Sequence, residues 1–219
     1  MKKYLILLLL ISSLSYSKPR PEIARALQSS VQIIIPEISM GSGVVYKHNG
    51  LATYILSNDH VCQSTRGLTL TNSLDKNKPL NSVQLKVKGV DGKSYLGQVI
   101  KAGDPKVDLC IIMVKEVIYK AARFGSGLEV GDSIFLVSGP GGVFPMISSG
   151  YAGRTYPDKI MKDVRATTVS ANHGSSGGGV FNDSGELVGI IFSIITDSDN
   201  GSPIASFMVE LKDIQEFLP

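Results

Sequence analysis

The chain has 219 residues, 43% of them hydrophobic, with 22 basic against 19 acidic side chains, two cysteines and no tryptophan. Without residues 1–17, which hold Lys2 and Lys3 and no acid, 202 residues remain with a net charge of +1, scattered rather than in blocks. That length suits one domain with a sizeable core, and the near-neutral balance excludes nucleic acid or an anionic membrane surface as expected partners.

Residues 1–17 read as a signal peptide. Lys2 and Lys3 start the segment, Tyr4 to Ile11 is an apolar run, and Ser15-Tyr16-Ser17 places small residues where a signal peptidase reads. The run is shorter than the roughly 20 residues that a bilayer span needs. Export to the periplasm or the medium is therefore expected. The competing reading is an uncleaved anchor, the one route to a membrane association. No cysteine follows the run, so no lipid anchor is expected.

Residues 18–30 are punctuated by prolines, then weakly helical, and read as a lead-in. From Val31 the pattern turns to short strands between turns: Val31 to Ile35, Gly43 to Tyr46, Thr53 to Ser57, Val83 to Val87, Ser94 to Ile100 and Leu109 to Val114. A second group takes in Ser133 to Val137, Met146 to Arg154, Ala166 to Ser170, Val180-Phe181, Leu187 to Ile195 and Ile204 to Val209. Glu210 to Leu218 alone has clear helical character, with Leu211, Ile214 and Leu218 at helix spacing. Many short strands with turn punctuation predict an all-β sandwich or barrel, with no repeat and no room for a second domain.

Three stretches carry chemistry. His173-Gly174-Ser175-Ser176-Gly177-Gly178-Gly179 has almost no Cβ bulk, so its backbone can take φ > 0 and turn N–H groups toward a ligand, with a serine hydroxyl as nucleophile. The bland alternative is a flexible linker or a hairpin turn. Leu56-Ser57-Asn58-Asp59-His60-Val61 puts a histidine directly after an apolar strand; it is either a general base or a structural histidine. Val107-Asp108-Leu109-Cys110-Ile111-Ile112 sets an acid at the mouth of a run that must be buried. Such an acid needs a partner, and an imidazole is one, unless Asp108 is only a turn residue. Asp104 is the alternative acid, although its Gly-Asp-Pro setting reads as a turn.

In the order His, Asp, Ser these stretches resemble the trypsin-like serine proteases of the chymotrypsin fold, and among them the HtrA-like branch. Gly41-Ser42-Gly43-Val44-Val45 is similar to that family's first-barrel strand, and Tyr54 to Val61 resembles its Leu-Thr-Asn-x-His-Val segment. Val107 to Val114 resembles its Asp-Leu-Ala-aliphatic strand. Leu128 to Asp132, Gly139 to Gly142 and Ser149-Gly150 resemble the approach to its second barrel. Gly174-Ser175-Ser176-Gly177-Gly178 is similar to Gly-Asn-Ser-Gly-Gly, and Gly185 to Ile190 to the hairpin that follows. The likeness runs over about residues 31–215, with Ser175 in place of Asn or Asp and Gly179 in place of Pro.

The resemblance implies two packed six-stranded antiparallel barrels, the first over about residues 31–118 and the second over about 119–209, then a C-terminal helix over 210–218. It implies a serine endopeptidase of protein or peptide substrates. Ser176 would be the nucleophile, His60 the base and acid, and Asp108 its orienting carboxylate, with the oxyanion hole built by Gly174 and Ser176 around Ser175. Ser175 is by sequence a rival nucleophile. The pocket for the residue before the scissile bond would take its base from Ser170 and its walls from Ala171, Asn172, Ile191, Phe192, Ser193 and Ile194, lacking an acid and so favouring small or aliphatic side chains. His173 is an exposed loop residue or a subsite contact. If the triad forms, Cys62 and Cys110, each two residues past a member, lie close enough for a disulfide; the alternative is two buried thiols. The resemblance also allows trimers, and a peptidase-weak binding module on the same fold is the rival reading. A PDZ domain often follows in this branch, and none is expected in these 219 residues. A metal bound by His60 and the cysteines fits no zinc spacing, and the Asp197 stretch has Met208 where a calcium loop needs an acid, so neither metal nor cofactor is expected.

Overall fold

The computed structural model describes residues 20–219 except 70, 105, 158–161, 200 and 202. The signal-like segment 1–17 and the first two lead-in residues lie outside the described residues. Six strands, β1 (Ser30–Ile35), β2 (Ser39–His48), β3 (Thr53–Ser57), β4 (Leu85–Gly89), β5 (Ser94–Asp104) and β6 (Leu109–Val114), close an antiparallel barrel in the order β1-β2-β3-β6-β5-β4. Six more, β7 (Ser133–Ser138), β8 (Met146–Tyr156), β9 (Val164–Thr167), β10 (Gly179–Asn182), β11 (Leu187–Thr196) and β12 (Pro203–Glu210), close a second in the order β10-β11-β12-β9-β8-β7. Helix α1 (Pro21–Ser29) precedes the barrels, α2 (Asp59–Gln63) follows β3, and α3 (Leu211–Phe217) follows β12. Among the described residues no helix is long and apolar enough to cross a membrane.

Three apolar cores explain which strands alternate and which do not. One fills the first barrel around Ile33, Ile55, Val87 and Ile112, and one fills the second around Ile134, Leu136, Val180 and Met208. The third lies where the barrels meet and joins Leu56, Leu109 and Ile111 to Phe135, Phe181 and Ile190, with Ala26 of α1 and Ile214 and Phe217 of α3. Ile55 thus faces the first core and its neighbour Leu56 the shared one; in β6, Leu109 and Ile111 face the shared core, Cys110 and Ile112 the barrel interior. A strand buried on both faces has no polar side to alternate with, which is why Leu109–Val114 is an unbroken apolar run.

Most strands run a few residues past the sequence expectation, β2 from Ser39 to His48 and β5 to Asp104 among them, and two are displaced. Val83 and Gln84 lie outside β4, and β9 runs from Val164 to Thr167 rather than from Ala166 to Ser170. At Thr168 a side chain takes over half of the ladder: Thr168 N still donates to the Tyr151 carbonyl at 3.1 Å, but Tyr151 N donates to Thr168 Oγ1 at 2.8 Å, and two residues on Ser170 N donates to Ser148 Oγ at 2.7 Å. Propensity marks these residues as strand-like but does not say which partner satisfies their backbone.

Candidate active site

Register sets the first half of the site. Ser57 of β3 pairs with Cys110 of β6 in an antiparallel ladder, so the residues after Ser57 and those before Cys110 leave the barrel at the same end. His60 on α2 and Asp108 ahead of β6 meet there. Asp108 Oδ2 lies 2.8 Å from His60 Nδ1, and Asp108 Oδ1 accepts the His60 backbone N–H at 3.0 Å. An ionised carboxylate only accepts, so Nδ1 is the donor in this contact, and in the neutral imidazole that tautomer leaves the lone pair on Nε2. The Asp108 carbonyl is pinned too, by Asn58 Nδ2 at 2.9 Å and by Asp59 N at 3.0 Å. The His60 side chain is 50% exposed and that of Asp108 17%, so the pair opens to solvent on the imidazole side. Beside it, burial pushes the Asp59 carboxyl above its ordinary range, against hydrogen bonds from Gly103 N and Gln63 that lower it.

Beneath this pair Cys62 and Cys110 form a disulfide with Cα atoms 6.5 Å apart, both fully buried in the first-barrel core. It ties α2, which carries His60, to β6, which Asp108 leads into.

The second half of the site is the loop before β10. Because Gly179 pairs with both Ile190 and Val137, this loop shares its end of the barrel with Ile191–Ile194 and with the turn at Gly139–Gly142. The His173 carbonyl accepts from Gly141 N at 2.8 Å, that of Gly174 from Ser42 Oγ at 2.8 Å, that of Ser175 from Gly178 N at 2.8 Å, and that of Ser176 from Ser42 N at 2.7 Å. Ser175 N donates to the Asn172 carbonyl at 2.8 Å and Gly177 N to that of Ile191 at 2.9 Å. The N–H groups of Gly174 and Ser176 are left without an acceptor among the described residues, and both residues line one cavity with His60. Unpaired N–H groups on residues that line a cleft are the kind of donor an anionic oxygen needs. Gly174 and Gly177 allow the path: they sit at φ +93° and +85°, and a Cβ would meet the Gly139 carbonyl oxygen at 2.5 Å and the Ser42 carbonyl oxygen at 2.1 Å.

Ser175 and Ser176 now part company. Ser175 is 1% exposed, and its Oγ accepts from Asn172 N at 3.1 Å and Ser138 Oγ at 3.2 Å. Ser176 is half-buried, its hydroxyl holds no hydrogen bond among the described residues, and it shares two cavities with His60. In triads without substrate the bond between nucleophile and base is often long and tightens when substrate binds.

One cavity of about 310 Å³ is lined by His60, Ala171, Asn172, His173, Ser175, Ser176 and Ile191–Ile194. Ser170 is not in that lining; it is exposed, with its N–H turned to Ser148. Across His60 and Ser176 lies a second cavity of about 430 Å³, to which Met40, Val61, Ser64 and Gly141 contribute. Sequence reasoning missed this side, since neither Met40 nor Gly141 belongs to a pattern that marks a site. His173 lines both cavities.

A two-barrel protein whose cleft joins a histidine–aspartate pair to a serine beside two unpaired N–H groups has the architecture of a serine peptidase. The Trypsin-like peptidase domain family matches residues 41–190, and the chain belongs to that family. Similar curated proteins are each called a "Probable periplasmic serine endoprotease DegP-like". One, from Pseudomonas putida (strain GB-1), is 28% identical over 165 residues, 73% of this chain and 30% of the relative; another, from Marinomonas sp. (strain MWYL1), is 27% identical over 73% of this chain and 31% of its own length. The chain thus spans less than a third of these relatives. Among solved structures, the HtrA-type protease AlgW with a tripeptide superposes with a TM-score of 0.72 at 24% identity, over 89% of this chain and 60% of that one. The crystal structure of Deg5 gives 0.69 at 20% identity, over 89% of each chain. At these identities the superpositions speak for the fold.

Proposed function

We propose that the chain is an exported serine endopeptidase. Ser176 Oγ attacks the carbonyl carbon of a peptide bond while His60 Nε2 takes its proton, and Asp108 holds the imidazole in the tautomer that leaves Nε2 basic and stabilises the imidazolium that forms. The tetrahedral oxyanion is held by Gly174 N–H and Ser176 N–H, dipoles fixed before the charge develops. His60 then protonates the departing amine, and water, deprotonated by the same nitrogen, attacks the acyl ester and restores Ser176. The observation that carries this reading is the pairing pattern of the loop, in which the two N–H groups left over are those beside Ser176, in a cleft with a histidine already oriented by a carboxylate.

Ala171, Ile191 and Ile194 give the first cavity apolar walls, and no acid among the described residues lines it, which supports a preference for small or aliphatic residues before the scissile bond. Export is supported by the pattern of residues 1–17 and by the Cys62–Cys110 disulfide, which persists in oxidising compartments. The periplasmic names of the relatives agree.

The test is a fluorophosphonate probe on the purified chain and on Ser176→Ala, followed by cleavage of a peptide library. Labelling and cleavage in the parent alone are expected. Equal labelling of the variant would put the nucleophile elsewhere, and an unlabelled, inert parent would leave a binding module on a peptidase fold.

A further inference from the structure

Ser42 of β2 is fully buried, and four hydrogen bonds tie it to residues beyond its pairing with β1. Its N–H donates to the Ser176 carbonyl at 2.7 Å, and its own carbonyl accepts from Ser57 Oγ at 2.7 Å. Its Oγ donates to the Gly174 carbonyl at 2.8 Å and accepts from Gly139 N at 2.9 Å. These partners lie on both sides of the groups that matter. The Gly174 carbonyl belongs to the peptide that joins Gly174 to Ser175, between the two unpaired N–H groups, and Gly139 opens the turn whose Gly141 N holds the His173 carbonyl. The orientation of a peptide N–H is fixed by its own carbonyl and by the peptides on either side, because each unit is planar. Ser42 Oγ is the one side-chain atom among the described residues that bonds a carbonyl of this loop between His173 and Ser176.

We infer that the Ser42 hydroxyl is a positioning group for the oxyanion-binding loop. Through a single oxygen it locks the Gly174–Ser175 peptide of the second barrel and the Gly139 end of the supporting turn against β2 of the first. The N–H groups of Gly174 and Ser176 then stay aimed into the cleft when no substrate is there to hold them. The inference rests on the serine endopeptidase reading of the same loop. Without the hydroxyl, the Gly174 carbonyl and Gly139 N lose their shared partner, and the peptides between them gain alternative orientations. Transition-state binding suffers while the substrate cavities, whose lining does not include Ser42, stay as they are.

The test compares Ser42→Ala with Ser57→Ala, which deletes an equally buried hydroxyl of the same cluster that does not touch the Gly174 carbonyl. For a peptide the parent cleaves, Ser42→Ala is expected to lower kcat by about 10- to 100-fold with KM within about twofold, the size of effect that misplacement of a catalytic array produces. Ser57→Ala should melt with a similar shift yet keep kcat within a few-fold. Amide hydrogen exchange, followed residue by residue, should quicken at Gly139 and Ser175 in Ser42→Ala alone, and this readout holds whether or not the parent cleaves peptides. An inert parent would therefore remove the peptidase reading while the exchange result still decides the loop. Should Ser42→Ala not fold, Ser42→Cys, similar in volume and a weaker donor, takes its place with the same expected losses. Parental kcat in the Ser42 variant of a cleaving enzyme, equal kcat losses in the two serine variants, or unchanged exchange at Gly139 and Ser175 would overturn the inference.

Discussion

The two adjacent serines show how burial separates chemically equal side chains. Ser175 faces inward and its Oγ accepts the Asn172 N–H, a bond that closes the loop just ahead of Ser176. A polar hydroxyl suits this place because Asn172 N would otherwise be short of an acceptor in a site with no room for bulk. The hydroxyl that stays free belongs to Ser176. Ser175→Ala should therefore keep fluorophosphonate labelling at Ser176 while lowering unfolding stability by about 1–3 kcal/mol, the cost of taking the acceptor from Ser138 Oγ, a buried donor, as well as from Asn172 N. Urea unfolding beside probe labelling checks both halves, and loss of labelling with stability intact would return Ser175 to the list of nucleophiles. From sequence alone the pair could be ranked only by position within the Gly-x-Ser-Gly-Gly pattern, since nothing in two neighbouring serines says which one is buried.

Between elements, the pairing of Ser57 with Cys110 does more than shape a barrel. It fixes how far His60 and Asp108 stand from a common rung, and the Cys62–Cys110 disulfide closes a second link across a sequence separation of 48. Constraining a loop of that length in the unfolded chain gives a stabilisation of about 2–5 kcal/mol. The double variant Cys62→Ala with Cys110→Ala should lose at least that much in denaturant unfolding, and a midpoint unchanged from the parent would mean that neither the bond nor the buried sulfurs add measurable stability. Several elements were readable in the sequence because they obey short-range rules: Thr53–Ser57 and Leu109–Val114 as apolar strands, and α3 from its helix-spaced Leu211 and Ile214. Helix α2 was not, because five residues are too few to show a period. The cleft wall at Met40, Val61 and Gly141 was hidden for another reason. These residues come from three separate segments, and only the closure of both barrels brings them together.

At the scale of the whole molecule, α3 acts as a bracket between the barrels. Ile214 and Phe217 enter the shared core, and Lys101 of β5 donates to the Phe217 carbonyl while its ammonium sits 4.0 Å from the centre of the Phe217 ring. The same helix buries an acid. Asp213 is 4% exposed, its Oδ1 lies 3.5 Å from Lys162 Nζ, and its Oδ2 has no hydrogen-bond partner among the described residues. Burial pushes its carboxyl above the ordinary range, and the attraction of Lys212 and Lys162 offsets only part of this. The sign follows from proton binding. Between the ordinary carboxylate value near 3.9 and the higher folded one, the folded chain holds a proton that the unfolded chain has released, so stability from this group is fully present below the lower value and is lost as pH rises through the upper one. Asp213→Asn removes that titration. In denaturant unfolding at pH 3 and pH 7, where other groups cancel between the two proteins, the variant should gain on the parent as the pH goes up. A variant that instead falls further behind at pH 7 would mean that the ion pair with Lys162 outweighs the cost of burying the charge, and that the bracket is held by electrostatics as well as by Ile214 and Phe217.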